Sequence, residues 1–268
     1  MTEHAWFPRT SCDVRCLGAG LGSAVEPIRG AARAVLRLAV ALPLLSVLPL
    51  LTLPIPGRHR MLRVYCRLML NCLGVRVAVS GDPIRNLKGV LVVSNHVSWA
   101  DVFAIGALFP GAFVARADVV NWPAIGVLAR MADIIPIDRT SLRSLPAVVH
   151  TVTRRLDAGA TVVAFPEGTT WCGLSYGSFR PALFQAAVDA GRPVQPLRLV
   201  YEHSDGRPST VTAFLGAEPL WASLFRTARE RRTVVRVEVG ALQLPGADRR
   251  DLSSRCQSAL RGLRVQHV

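Results

Sequence analysis

Lysine is nearly missing from this chain of 268 residues, in which Lys88 stands alone. Acidic residues are also scarce, with 18 Asp and Glu against 32 Lys and Arg, so the net charge of +14 is carried almost wholly by arginine. That balance points to anionic partners, whether nucleic acid, an anionic lipid surface or an acidic substrate. Aromatic residues are few, at 6%. The arginines fall on amphipathic or loop positions without interleaved aromatics, and no zinc-finger spacing occurs, so nucleic acid is not the expected partner. The cysteines, Cys12, Cys16, Cys66, Cys72, Cys172 and Cys256, form no Cys-x-x-Cys pair. A chain of this length needs no disulfide staples, and scattered reduced thiols suit the cytoplasmic side. Cys12-x-x-x-Cys16 has a spacing that a metal could use, but no second ligand pair follows at zinc spacing, so no metal is expected.

Half the residues are hydrophobic and the mean hydropathy is +0.32. This is apolar for a soluble enzyme and polar for a multi-span membrane protein. A globular core with one membrane-seeking segment satisfies both. Residues 1–28 mix Pro, Gly, Ser and charge without periodicity and read as an irregular arm with no assigned role. From Leu38 to Pro56 the chain is uncharged and almost wholly apolar. It starts too late for a signal peptide, and no small-residue cleavage site follows. Its length is marginal for a span of roughly 20 apolar residues. Pro43 and Pro49 would kink a helix, and arginines flank the run on both sides (Arg29, Arg33 and Arg37, then Arg58, Arg60, Arg63 and Arg67). A segment that enters and leaves on one face reconciles these features; a buried core helix is the alternative. Next, Met61, Leu62, Val64, Tyr65, Leu68, Met69, Cys72 and Leu73 repeat at helical spacing opposite Arg60, Arg63, Arg67 and Asn71. This pattern fits a helix lying on an anionic membrane, or a surface helix packed on the core. Residues 29–75 therefore read as a membrane-associating helical segment.

Beyond residue 75, short apolar runs alternate with helical runs. Strands are expected at 75–79, 90–94, 112–115, 134–137, 161–165, 194–200, 211–215 and 233–239. Helices are expected at 99–108, 124–131, 142–158, 181–190, 219–229 and 248–263. The expected fold class is α/β, a mixed sheet flanked by helices, with residues 76–268 forming one domain. No repeat or low-complexity tract is present. Chemistry in such sheets gathers in loops beyond strand ends.

Two motifs sit in those places. Asn95-His96-Val97-Ser98-Trp99-Ala100-Asp101 follows the second expected strand. A carboxylate five residues after a His can fold back on the imidazole, fix its tautomer and stabilise the imidazolium formed on proton uptake. Ser98-x-x-Asp101 is equally a capping box for the next helix, which would account for both residues but not for His96. The second motif, Phe165-Pro166-Glu167-Gly168-Thr169-Thr170, reads as an irregular exposed turn. Its backbone N–H groups and hydroxyls suit a polar head group; a plain strand-to-loop turn is the alternative. Ser98 as a hydrolase nucleophile fits less well, being better used as a helix cap. A non-catalytic lipid-binding protein would not need both His96 and Asp101.

Together, His-x4-Asp and Phe-Pro-Glu-Gly-Thr resemble the glycerolipid acyltransferase family, typified by lysophosphatidic acid acyltransferases. Phe113-Val-Ala-Arg116-Ala-Asp-Val, Ile135-Pro-Ile-Asp138-Arg139, Phe179-Arg180-Pro-Ala-Leu-Phe184 and Pro193-Val-Gln-Pro196 extend the resemblance over roughly residues 76 to 200. It implies an O-acyltransferase of phospholipid biosynthesis, taking a fatty acyl group from acyl-CoA or acyl carrier protein. The acceptor would be the free hydroxyl of a lysophospholipid such as 1-acylglycerol-3-phosphate. His96 and Asp101 would be catalytic, Arg116, Arg139 and Arg180 would hold the acceptor's anionic head, and Glu167, Gly168, Thr169 and Thr170 would shape the acceptor site. No cofactor beyond the donor is implied. The expected place is the cell membrane, with the catalytic domain on its cytoplasmic side. One departure stands out: many members follow Glu-Gly-Thr with Arg, and this chain has Thr170. A neutral hydroxyl replaces a forked cation, and a Thr-Thr version resembles members that acylate lyso-ornithine lipid.

Overall fold

A computed structural model describes residues 7–18, 27–47, 51, 56–85, 87–117, 134–138, 141–216 and 218–262. Among these residues seven strands form a single sheet: β1 (Val75–Gly81), β2 (Leu91–Ser94), β3 (Ala112–Arg116), β4 (Ile135–Ile137), β5 (Val162–Ala164), β6 (Val194–His203) and β7 (Thr233–Val239). Their order across the sheet is β1-β7-β6-β2-β5-β3-β4. Pairing is parallel throughout except between β6 and β7. The expected mixed sheet is therefore present.

Helices cover both faces, which explains why the central strands are continuous apolar runs rather than alternating ones. Along β2, Val92 packs on one face with Val163, Leu197 and Leu199, beneath Ala100, Ala104 and Ile105 of α3 (Ala100–Gly106). Leu91 and Val93 point the other way. They pack with Val152 and Leu156 of α4 (Leu145–Asp157), Phe184 of α5 (Phe184–Asp189) and Leu252 of the C-terminal helix (Arg249–Gly262). The period of two along each strand thus feeds two cores at once.

The N-terminal helices form a third cluster. Helix α1 (Pro27–Leu45) packs on α6 (Leu220–Arg229), and α2 (Arg58–Cys72) packs on α3 and β1. Ala34, Ala41, Tyr65, Cys66 and Met69 are buried there with Ala228. Helix α1 begins well before the apolar run, so Arg33 and Arg37 lie inside it. Arg33 donates to the Arg229 carbonyl, and Arg37 donates to the carbonyls of Ala228, Glu230 and Arg231. Both arginines thus close the C-terminal end of α6, where unpaired carbonyls and the helix dipole favour a cation. No helix among the described residues is long and apolar enough to cross a membrane.

The stripe expected along α2 divides. Tyr65, Cys66, Met69 and Leu70 turn into the protein, while Met61, Val64 and Leu68 remain exposed beside Arg60, Arg63 and Arg67. Helix α1 also leaves Ile28, Val35, Leu36, Val40 and Leu42 exposed.

One expected strand is absent. Residues 211–215 are a buried irregular loop, although Val211, Ala213 and Leu215 are all buried. Their backbone finds partners outside any ladder. Arg226 donates to the carbonyls of Val211 and Ala213, Phe214 N–H donates to the Val97 carbonyl, and the Thr170 hydroxyl donates to the Phe214 carbonyl. Buried backbone must be paired, but side chains can do the pairing. The helix expected at 124–131 lies outside the described residues.

Candidate active site

Parallel strands β2, β5 and β3 end at the same rim of the sheet, and the residues singled out in the sequence lie just beyond those ends. Asn95 prepares the turn after β2. Its side-chain carbonyl accepts the Leu199 N–H at 2.8 Å, and its amide donates to the Leu199 carbonyl at 3.0 Å. The side chain thus continues the pairing with β6 and lets the backbone leave the sheet at His96.

His96 and Asp101 meet as the spacing predicts. His96 Nδ1 lies 2.8 Å from Asp101 Oδ2. The same oxygen accepts the backbone N–H groups of Val97 at 2.7 Å and Ser98 at 2.9 Å. The capping and the orienting readings of Asp101 are therefore not rivals, because one carboxylate oxygen performs both tasks. Oδ1 accepts the Tyr201 hydroxyl at 2.6 Å. Asp101 is fully buried, and its donors replace the water it has lost. Burial, and secondarily the Asp101 charge, pushes the Tyr201 phenol well above its ordinary range, so it remains a donor.

The imidazole is pinned on its flat side too, stacked on Phe165 with ring centroids 4.0 Å apart and planes 14° apart. With Nδ1–H directed at the carboxylate, neutral His96 carries its lone pair on Nε2. The His96 side chain keeps 17% of its surface exposed, so a reactant can approach it.

The second motif buttresses the first. Glu167 is buried; it accepts His96 N–H at 2.8 Å on one oxygen and Gly177 N–H at 2.9 Å on the other. Burial drives its pKa up to about 8, against the pull of those two N–H groups. Glu167 thus braces the loop that carries His96 against the loop that carries Gly177. Gly168 has φ of 75°, a conformation that favours glycine, and a Cβ there would press within 2.9 Å of the Pro8 ring. The N-terminal segment 7–18, expected as an arm without a role, therefore lies across this turn. The turn's N–H groups are not all free: Gly168 donates to Phe165, and Trp171 donates to the His96 carbonyl at 2.8 Å. Thr169 is half-buried, and Thr170 has its hydroxyl proton engaged by Phe214.

The basic residues separate. Arg180 is held by its backbone to Pro166 at 3.0 Å, and its Nε lies 3.5 Å from the position of a Cβ on Gly168. It lies beside the Glu167–Thr170 turn. Arg116 is exposed at the end of β3, on the same rim and two strands from β2. Arg139 lies outside the described residues. Sequence reasoning missed Asn95 as a positioning residue and missed Tyr201 and Phe165. The burial of Tyr201 was legible from its place on a strand face with Leu197 and Leu199, but its pairing with Asp101 was not.

A partly exposed imidazole oriented by a buried carboxylate is an arrangement that general bases share. The Acyltransferase family model matches residues 76–200, which span both motifs, and the protein is an acyltransferase. A 1-acyl-sn-glycerol-3-phosphate acyltransferase of Neisseria meningitidis is 32% identical over 182 residues, covering 68% of this chain and 71% of the relative. A lyso-ornithine lipid O-acyltransferase of Pseudomonas aeruginosa is 35% identical over 207 residues, covering 77% and 79%. Another, of Rhodobacter capsulatus, is 30% identical over 246 residues, covering 87% and 88%. The chain belongs to the glycerolipid acyltransferase family typified by the lysophosphatidic acid acyltransferases. Its fold matches the crystal structure of a 1-acyl-sn-glycerophosphate acyltransferase from Thermotoga maritima, with a TM-score of 0.64 at 17% identity over 90% of this chain and 99% of that one.

Proposed function

We propose that the protein esterifies the free hydroxyl of a lysophospholipid at a membrane surface, with His96 as general base. The observation that carries this reading is the 2.8 Å contact between His96 Nδ1 and a fully buried Asp101. Nε2 takes the acceptor's hydroxyl proton as its oxygen attacks the thioester carbonyl of acyl-CoA or acyl carrier protein. The tetrahedral intermediate collapses, the C–S bond breaks, and the imidazolium returns the proton to the leaving thiolate. General-base help of this kind is worth about 10²–10⁴-fold. The thioester supplies the driving force, so no cofactor enters the step.

The acceptor we favour is 1-acylglycerol-3-phosphate, with Arg180 beside Gly168 and Arg116 on the rim supplying positive charge. Thr170 favours a second reading, lyso-ornithine lipid, because the position after Glu-Gly-Thr has no cation and its hydroxyl is already engaged. The exposed apolar side chains of α1 and α2, bordered by Arg60, Arg63 and Arg67, would rest on the cytoplasmic face of an anionic bilayer. A lysolipid would enter from that side while the donor arrives from water.

The test is acyl transfer in mixed micelles, offering lysophosphatidate and lyso-ornithine lipid separately, with His96→Ala as control. Acylation of lysophosphatidate, lost in the variant, supports the favoured reading. Acylation of the amino-acid lipid alone replaces the acceptor and keeps the mechanism. Undiminished turnover by His96→Ala would sink the base assignment.

A further inference from the structure

Three cysteines that acyl transfer does not use come together beside the Glu167–Thr170 turn. The sulfur atoms of Cys12, Cys16 and Cys172 all lie within 4.8 Å of one another. Cys12 and Cys172 are buried and Cys16 is half-buried, and all three are free thiols. Two of them belong to segment 7–18; the third follows the turn in the chain. Spacing along the sequence offered no second ligand pair, but the fold supplies a third sulfur from more than half the chain away.

Polar hydrogens also reach two of these sulfurs, although burial pushes the Cys12 thiol up. Gly173 has φ of 87°, which curls the loop so that the N–H groups of Leu174 and Ser175 turn back toward the Cys172 sulfur. The Cys172 N–H and the Thr10 hydroxyl are directed at the Cys12 sulfur. Bonding two of these cysteines to each other would leave the third unexplained. A shared cation explains all of them. In a tetrahedral zinc site with Zn–S near 2.3 Å, neighbouring sulfurs are about 3.8 Å apart, and the sulfurs here lie within 4.8 Å of one another. An all-sulfur set selects a thiophilic ion over Mg²⁺, Ca²⁺ or Mn²⁺.

We propose that Cys12, Cys16 and Cys172 bind one Zn²⁺ ion, which clamps the N-terminal segment across the active-site turn. Each thiol gives up its proton to solvent as its sulfur joins the metal, and water completes the fourth position. Pro8 is then held against Gly168, and the Leu17 carbonyl is held near the Thr210 hydroxyl at 3.4 Å. The clamp is structural, and it stands whether or not the acyl-transfer reading is right.

The test uses the full chain, purified under reductant without a metal-affinity step. Zinc is measured by mass spectrometry, and Co²⁺ is added to metal-free protein as a spectroscopic probe. The expected result is one zinc per chain and a cobalt spectrum with thiolate charge-transfer bands. Cys12→Ser and Cys172→Ser should each weaken zinc affinity by about tenfold or more, whereas Cys72→Ser, away from the cluster, should not. Trypsin should cut at Arg9 and Arg15 only after zinc is chelated. Wild-type protein that holds no zinc and gives no charge-transfer band overturns the proposal. So does a Cys12–Cys172 disulfide in protein that binds no zinc. Both outcomes are read on the wild type, so a misfolded variant cannot obscure them.

Discussion

Asp101 stands at the point where stability and chemistry meet. Its two oxygens take hydrogen bonds from His96, Val97, Ser98 and Tyr201, so a change there cannot be confined to one role. His96→Ala should reduce acyl transfer by about 10²–10⁴-fold, and loss of the donor to buried Asp101 should also lower stability by about 1–3 kcal/mol. Asp101→Asn should impair both. Its amide turns donors toward donors, the imidazole loses its preferred tautomer, and unfolding in denaturant should cost about 1–3 kcal/mol less. Glu167 behaves differently. Its folded pKa of about 8 is raised from 4.5, so the folded state holds a proton that the unfolded chain releases. Its contribution to stability is complete below pH 4.5 and is lost as pH rises through 8. Glu167→Gln should flatten that part of the melting-temperature profile relative to wild type; parallel profiles would rule the account out. His96 and Asp101 were legible because five residues separate them. Asn95 and Tyr201 were not, because their partners are 104 and 100 residues away and pairing at that distance leaves no local pattern.

The elements show which sequence patterns are unambiguous. Strands β1 to β7 were readable because β-branched runs ended at turns, and α4 because its buried residues recur at Val148, Val152 and Leu156. Residues 211–215 misled because alternation reports burial on one side, not a ladder. With Arg226 and Thr170 available to satisfy the backbone, the loop needed no neighbouring strand. The arginines of α1 misled in the opposite sense. They read as flanks of a membrane segment, yet Arg33 and Arg37 finish another helix. Arg37→Ala should therefore lower stability by about 1–3 kcal/mol, as several carbonyls lose a charged donor together; denaturant unfolding measures it. The outward faces of α1 and α2 make a separate claim. Leu36→Asp combined with Val64→Asp should weaken sedimentation with anionic vesicles and leave the unfolding free energy within about 1 kcal/mol of wild type, because both side chains are exposed. Unchanged sedimentation would refute docking through this surface.

At the scale of the molecule, the excess of arginine has several destinations rather than one. Some arginines border the exposed apolar face of α2, some close α6, and Arg198, Arg226 and Arg236 pair with Glu238, Glu218 and Glu202. Net charge told the sign of the partner but could not tell these uses apart. The arrangement of the sheet has a further result, for the order in which the chain takes shape as it is made. Among the described residues strand β1 lies at an edge and pairs only with β7, while Arg33 reaches across 196 residues to the end of α6. A ribosome releases the N-terminal helices long before either partner exists. Until residues 220–239 emerge, α1 lacks its contact with α6 and β1 has no strand beside it. Completion therefore waits for the last quarter of the chain, and a truncation there unseats the first helix of the protein as surely as a lesion in that helix itself.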